Sequence, residues 1–133
     1  MKHTLFILMF FSLFSCKKED VESEPIEGLQ VITSLNQINA ELESGVSMVF
    51  FHASWCSVCQ AQRPAVSEVA LDPELSEVFF GEVEYEDHPD IVDAHNIEGF
   101  PTIIIYSEGA EVQRFTGGGN TTTDIKTAIE SVL

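Results

Sequence analysis

Basic residues are scarce in this 133-residue chain: 6 Lys plus Arg stand against 22 Asp plus Glu, a formal net charge of −16. A surface so poor in cations cannot displace the counterions condensed on a polyanion, so DNA and RNA are excluded as partners. Cysteine is scarce too. Three cysteines are too few for a disulfide-framework miniprotein and too few for a four-cysteine zinc or iron–sulfur site. No apolar run reaches the ~20 residues that span a bilayer. There are no internal repeats, and the length leaves no room for a second core. What the chain does have is 44% apolar and 21% charged residues, a composition that buries a core and excludes global disorder.

The N-terminus reads as an address. A basic start (Lys2) and the run Leu5–Phe14, interrupted only by Ser12, predict a signal peptide over residues 1–15. Leu13-Phe14-Ser15-Cys16 resembles a bacterial lipobox: an aliphatic residue three before the cysteine, a small one just before it, then the cysteine that is acylated. Phe14 is bulkier than usual at its position, and the alternative is an ordinary signal peptide with a chance cysteine. Acyl chains on Cys16 would hold the protein on a membrane, at about 0.8 kcal/mol per buried CH₂. Residues 17–28 (KKEDVESEPIEG) are charged, poor in large apolar side chains and broken by Pro25, so they are expected to be a flexible tether and not a fold element. A start of Cys-Lys-Lys-Glu-Asp resembles lipoproteins of the Bacteroidota, in which Lys followed by acidic residues can mark export to the cell surface. The expected organisation is a signal peptide (1–15), an acylated cysteine and tether (16–28) and one domain (29–133). That places the domain outside the cytoplasm, lipid-anchored to a bacterial membrane on its periplasmic side or at the cell surface.

From Leu29 onward strand and helix signals alternate. Gln30–Thr33 is a short strand; Ser34 can cap a helix through Glu43 with Leu35, Ile38 and Leu42 on one face, closed by Gly45. Val46–His52 is a continuous apolar run, as expected of a central strand covered on both sides. A helix over Ser57–Ala70 contains Pro64, which should kink it or end its first half. Val78–Tyr85 reads as a strand and Pro89–Asn96 as a short helix. Thr102–Tyr106 and Glu111–Phe115 flank the turn Ser107-Glu108-Gly109-Ala110. After Gly117-Gly118-Gly119, Thr122 or Thr123 should cap a last helix running to Leu133. The order β-α-β-α-β-α-β-β-α predicts an α/β fold: a mixed sheet, parallel first and antiparallel at the end, with helices on both faces.

Trp55-Cys56-Ser57-Val58-Cys59 carries the chemistry. At the junction of a buried strand and a helix, Cys56 falls where free backbone N–H groups and the positive dipole end stabilise a thiolate. Cys59 lies one turn on, so its sulfur can reach back. Such a thiolate attacks a partner's disulfide to give a mixed disulfide, which the second sulfur resolves. Three other readings compete: zinc, which needs two more ligands that His88 and His95 supply only at an unusual spacing; a purely structural disulfide closing a small loop; and a chance pair. If Cys16 carries lipid, Cys56 and Cys59 are the only thiols left.

WCSVC, with Pro64 five residues after Cys59 and Pro101 forty-two after it in Phe100-Pro101-Thr102, is similar to the thioredoxin family over about Leu29–Leu133. The resemblance implies the thioredoxin fold, a central mixed sheet of about five strands flanked by helices. It implies a redox-active Cys56–Cys59 disulfide and a cis Pro101 facing it, with Phe100 lending its backbone to a bound substrate peptide and Thr102 following in the strand. Asn96-Ile97-Glu98-Gly99 and Gly117 sit where the family has its peptide-binding rim, and Trp55 resembles the tryptophan that shields the nucleophile. There are departures. The family's buried Asp six residues before the first cysteine, which takes a proton from the second, is here Phe50; the lysine that partners it corresponds to Glu82. Glu82 lies within an apolar strand, where desolvation disfavours its charged form and suits it to proton exchange, unless it faces water at the strand end. His52 occupies an aromatic position of the family and is expected to be a packing residue rather than a base. The acidic residues Glu84, Glu86, Asp87, Asp90 and Asp93 are expected to form a solvated face.

The resemblance thus implies a thiol–disulfide oxidoreductase, catalytic through Cys56 and Cys59, acting on protein thiols and disulfides with no metal and no cofactor; Glu82, where the chain departs from the family, is the expected third catalytic residue. The absence of an inserted helical domain favours the reducing direction. A small thioredoxin on a tether is similar to electron couriers fed by a membrane thiol transporter, working as a monomer. Ser57-Val58 between the cysteines matches neither the reducing nor the oxidising reference pattern. A disulfide oxidase or isomerase, and a non-catalytic binding module using the Phe100-Pro101 edge, are the alternatives.

Overall fold

A computed structural model describes residues 23–133. The expected signal peptide, the acylation at Cys16 and the first part of the expected tether lie outside the described residues. The elements are β1 (Gln30–Val31), α1 (Leu35–Leu42), β2 (Val46–His52), α2 (Ser57–Ala70), β3 (Phe79–Glu84), α3 (Pro89–Ala94), β4 (Thr102–Ser107), β5 (Ala110–Thr116) and α4 (Thr122–Glu130), with one 3₁₀ turn at Pro73–Leu75.

The strands form one sheet in the order β1-β3-β2-β4-β5. β3 runs parallel to β1 and β2, and β4 runs antiparallel to β2 and β5. β2 is buried at all seven positions because both of its faces are covered. Its alternation divides the core. Met48 and Phe50 meet α2 and α4 through Val66, Val69, Ile125 and Ile129. Val49 and Phe51 face the other way, into the layer holding Ile38 and Leu42 of α1 and Ile91 and Val92 of α3. Phe50 is the register partner of Glu82. In a parallel pair, register partners share a face, so Glu82 points to the α2/α4 side, as does His52 two residues beyond Phe50.

Several elements differ from expectation for local reasons. α2 runs unbroken through Pro64; Gln60 and Pro64 are both exposed, so water is available to the carbonyl that loses its N–H partner. The last helix is capped by Thr121 instead of Thr122 or Thr123. Thr121 forms a reciprocal capping box with Asp124, and the helix stops at Glu130, short of Leu133. β1 keeps only two of its four expected residues, since the Thr33 N–H turns to the Gln37 side chain. The β4–β5 turn falls where expected: Glu108 and Gly109 both adopt positive φ, the primed geometry of a two-residue hairpin.

The largest difference lies ahead of β1. The end of the expected tether is docked, not free. Ile26 is 5% exposed and joins the α2/α4 core, a burial that contributes roughly 1.5–3 kcal/mol. Ser67 of α2 donates to the Glu27 carbonyl at 2.8 Å, Arg63 donates to the Glu24 carbonyl, and Ser23 bonds Glu84. Gly28, at φ +88°, passes so close to Ala70 that an added Cβ would meet it at 2.9 Å. Surrounded by acidic residues, the lone Ile26 gave no periodic signal.

Candidate active site

β2 ends at His52, and the chain turns through Ala53-Ser54-Trp55 to place Cys56 as the N-cap of α2. Cys56 Sγ accepts the Cys59 N–H at 3.1 Å, and the two cysteines form a disulfide with Cα atoms 5.2 Å apart. The N-cap position aims the unpaired amides and positive end of α2 at Cys56 Sγ, which favours its thiolate once the disulfide opens. Cys59 lies deeper, 1% exposed against 6% for Cys56.

The turn ahead of Cys56 is braced. The Glu86 carboxylate accepts the Ser54 N–H at 3.1 Å and its hydroxyl at 2.8 Å. Partial burial pushes Glu86 up, but these bonds outweigh it and hold its carboxyl below the usual range. Glu86 is thus more than part of a solvated face, and Glu84 is half-buried.

Trp55 is 68% exposed and stands edge-on to Phe100 at 6.1 Å; Phe100 also meets Tyr85 at 5.3 Å. The Phe100–Pro101 peptide is cis. The Thr102 hydroxyl donates to the Gly99 carbonyl at 2.8 Å, and the Pro101 carbonyl accepts the Gly117 N–H at 2.9 Å. The Gly-rich loop is locked to α2 by Gln62, which donates to the Asn120 carbonyl at 2.7 Å and accepts its N–H at 3.0 Å. Arg114 ties the approach to Phe100 in place by donating to the His95 and Asn96 carbonyls, both at 3.1 Å. Its ion pair with Glu111 holds that carboxyl below the usual range. The expected site residues Trp55, Cys56, Cys59, Phe100, Pro101 and Thr102 therefore share one end of the sheet.

Glu82 does not face water; it is 3% exposed. Neither is it a bare carboxylate in an apolar strand. One oxygen accepts the Ile26 N–H at 2.8 Å, and the other lies 2.9 Å from His52 Nε2. His52 does pack as expected, stacked on Phe50 at 5.2 Å, but its ring edge also makes this polar contact, which sequence reading missed. The available signal was positional: His52 is two residues past the partner of Glu82 on a neighbouring strand, and therefore diagonal to it on one face. Beside the pair opens a cleft of about 440 Å³, lined by Ser23, Glu24, Val31, Glu84, Asp87 and His88 as well as by His52 and Glu82. His95 Nδ1 lies 2.8 Å from the Ile91 carbonyl. Among the described residues, no group of three or more His, Cys, Asp and Glu side chains is placed to hold a metal ion.

The family profile described as Thioredoxin matches residues 30–131. A thioredoxin of Chlamydia caviae is 30% identical over 86 residues, which is 65% of this chain and 82% of the relative. A thioredoxin of Mycoplasma genitalium is 33% identical over 87 residues, 65% of this chain and 83% of the relative. Among solved structures, thioredoxin of Trypanosoma brucei brucei superposes with a TM-score of 0.71 at 18% identity, covering 83% of this chain and 95% of that one, a likeness of fold. The expected mixed sheet of five strands is the thioredoxin fold. With the Cys56–Cys59 pair at the start of α2 and the cis Phe100–Pro101 bond beside Trp55, the chain belongs to the thioredoxin family and is a thiol–disulfide oxidoreductase acting on protein thiols and disulfides.

Proposed function

We propose that this protein is a lipid-anchored, extracytoplasmic thioredoxin that reduces disulfides in partner proteins, with electrons supplied by a membrane thiol transporter. The observation that carries the chemistry is the position of Cys56, the helix N-cap and the more exposed member of a disulfide that follows directly on the exposed Trp55. The Cys56 thiolate attacks a partner disulfide and is left in a mixed disulfide. Cys59 gives up its proton and attacks Cys56 Sγ; the Cys56–Cys59 bond re-forms, and the partner leaves with both of its sulfurs reduced. Glu82 is the proton acceptor for Cys59. Phe50 occupies the place of the family's aspartate, and Glu82 is a buried carboxylate on the same sheet face as the cysteines. Trp55 and Phe100 form the surface that receives the partner's chain; Pro101 and Thr102, expected to share in it, are buried, and Thr102 bonds the Gly99 carbonyl.

The reducing direction is supported by the plain architecture: between β3 and β4 the described chain holds only α3 and short loops, with no inserted helical domain. Location rests on the Lys2–Phe14 run and the Leu13–Cys16 lipobox, and a monomeric courier fits a single small domain. The Cys56–Cys59 reduction potential tests direction. A value near the thioredoxin reference of about −270 mV is expected; one near the about −120 mV of a strong oxidant would make the protein an oxidase.

A further inference from the structure

Glu82 is held at both oxygens. Oε1 accepts a backbone N–H from Ile26, and Oε2 faces His52 Nε2 at 2.9 Å. A backbone amide can only donate, so the Ile26 contact fixes that oxygen as an acceptor. Among the described residues, the imidazole is the one side chain bonded to the carboxylate. It is 2% exposed, clamped from behind by Phe50 and aligned by strand pairing with Glu84. Two contacts, one on each oxygen, hold a carboxylate in one rotamer. On the cysteine side of the sheet, that is what a proton acceptor for Cys59 requires.

We propose that His52 is a positioning residue for the resolving step. Its Nε2–H donates to Glu82 Oε2 and, with the Ile26 amide on Oε1, holds the carboxylate in place until the Cys59 thiol surrenders its proton. The cleft lined by Ser23, Glu24 and Pro25 is the route by which that proton leaves. This rests on the reading of Glu82 as the acceptor. The proton passes from Cys59 Sγ to Glu82, the Cys59 thiolate forms the Cys56–Cys59 bond, and the partner departs as a thiolate that takes a proton from water. Glu82 then returns its proton to water in the cleft that both it and His52 line. Glu24 of the N-terminal segment, Glu84, Asp87 and His88 surround the opening and add their own charges to its pH response, as does Glu86 from beside Ser54.

Two substitutions separate positioning from packing. His52→Gln keeps an N–H donor and loses the ring; His52→Phe keeps the ring and loses the donor. Single-turnover resolution of a preformed Cys56 mixed disulfide is followed from pH 5 to 9 in both, beside wild type and Glu82→Gln. Positioning predicts that His52→Phe slows resolution ~10-fold near neutral pH and moves its acid fall-off to higher pH, because an unsupported carboxylate protonates more readily. His52→Gln should stay within about threefold of wild type, and alkylation of Cys56 should be unchanged in both. If His52→Phe matches wild type while Glu82→Gln is slow, the His52 proposal is overturned and the Glu82 reading stands. If Glu82→Gln is itself as fast as wild type, the Glu82 reading falls and takes this one with it. Should His52→Phe fail to fold, ¹⁵N spectra of the wild-type ring decide. An Nε2–H tautomer whose resonances change on reduction of the disulfide is expected; resonances identical in both redox states from pH 5 to 9 would overturn the proposal.

Discussion

Glu82 and His52, thirty residues apart in the chain, meet at 2.9 Å inside the protein on the cysteine side of the sheet. Such a pair is costly to bury and costly to break, since removing one partner leaves the other unsatisfied. Glu82→Gln keeps the shape and the capacity to accept the Ile26 N–H, but it cannot take up a proton. It should slow mixed-disulfide resolution by ~10–100-fold near neutral pH, at or below the low end of what a general base contributes because water can substitute in part, and leave attack by Cys56 nearly unchanged. Stopped-flow separation of the two steps checks this; equal resolution rates in the variant and wild type from pH 5 to 9 would contradict it.

Gly118 leaves no room for a side chain. A Cβ there would stand 2.4 Å from Val58 Cγ1, inside the Cys-Ser-Val-Cys turn, and valine is too stiff to swing aside. Gly118→Ala should therefore destabilise by ~1–3 kcal/mol. Val58→Ala in the same chain should recover most of that loss, a coupling that urea unfolding of the four members of the cycle measures directly. Additive effects would mean that the loop relaxes away from the helix.

Glu86 gives the site an acid-side dependence. Its carboxyl is held below the usual range in the folded protein, so its bonds to Ser54 contribute stability above the unfolded value and lose it as pH falls through the folded one. Wild type should lose stability relative to Glu86→Gln as pH drops below about 4.5. The difference should stay under about 1 kcal/mol, because the pair is exposed. Parallel unfolding curves at pH 7 and pH 3.5 test this; a gap that widens toward acid in favour of wild type would reverse the sign.

Cys16 should carry the lipid, with residues 1–15 absent from the mature protein. The intact mass of protein purified from membranes should show that processing plus the acyl addition. A soluble product with a free Cys16 thiol would remove the anchor and leave an odd reactive cysteine.

Much of this architecture is written in local pattern. The all-apolar Val46–His52, the Glu108-Gly109 turn and the Cys56 junction each specify their structure from a few neighbouring residues, and each sits where expected. The unread parts depend on residues that meet only after folding. Ile26 is one apolar side chain in an acidic stretch, and its burial follows from the groove between α2 and β3. Glu82 and His52 acquire meaning only through the β2–β3 register. Thr121 wins the cap from Thr122 and Thr123 because it alone has an acidic side chain three residues on.

The division of labour between the cysteines is tested most directly by trapping. Cys59→Ser and Cys56→Ser proteins, each incubated with a disulfide-bonded substrate protein, are acid-quenched and resolved without reductant. Cys59→Ser should accumulate mixed disulfides through Cys56, because the nucleophile at the N-terminus of α2 is intact and nothing resolves its product; Cys56→Ser should accumulate almost none. Mixed disulfides in Cys56→Ser and not in Cys59→Ser would contradict the account.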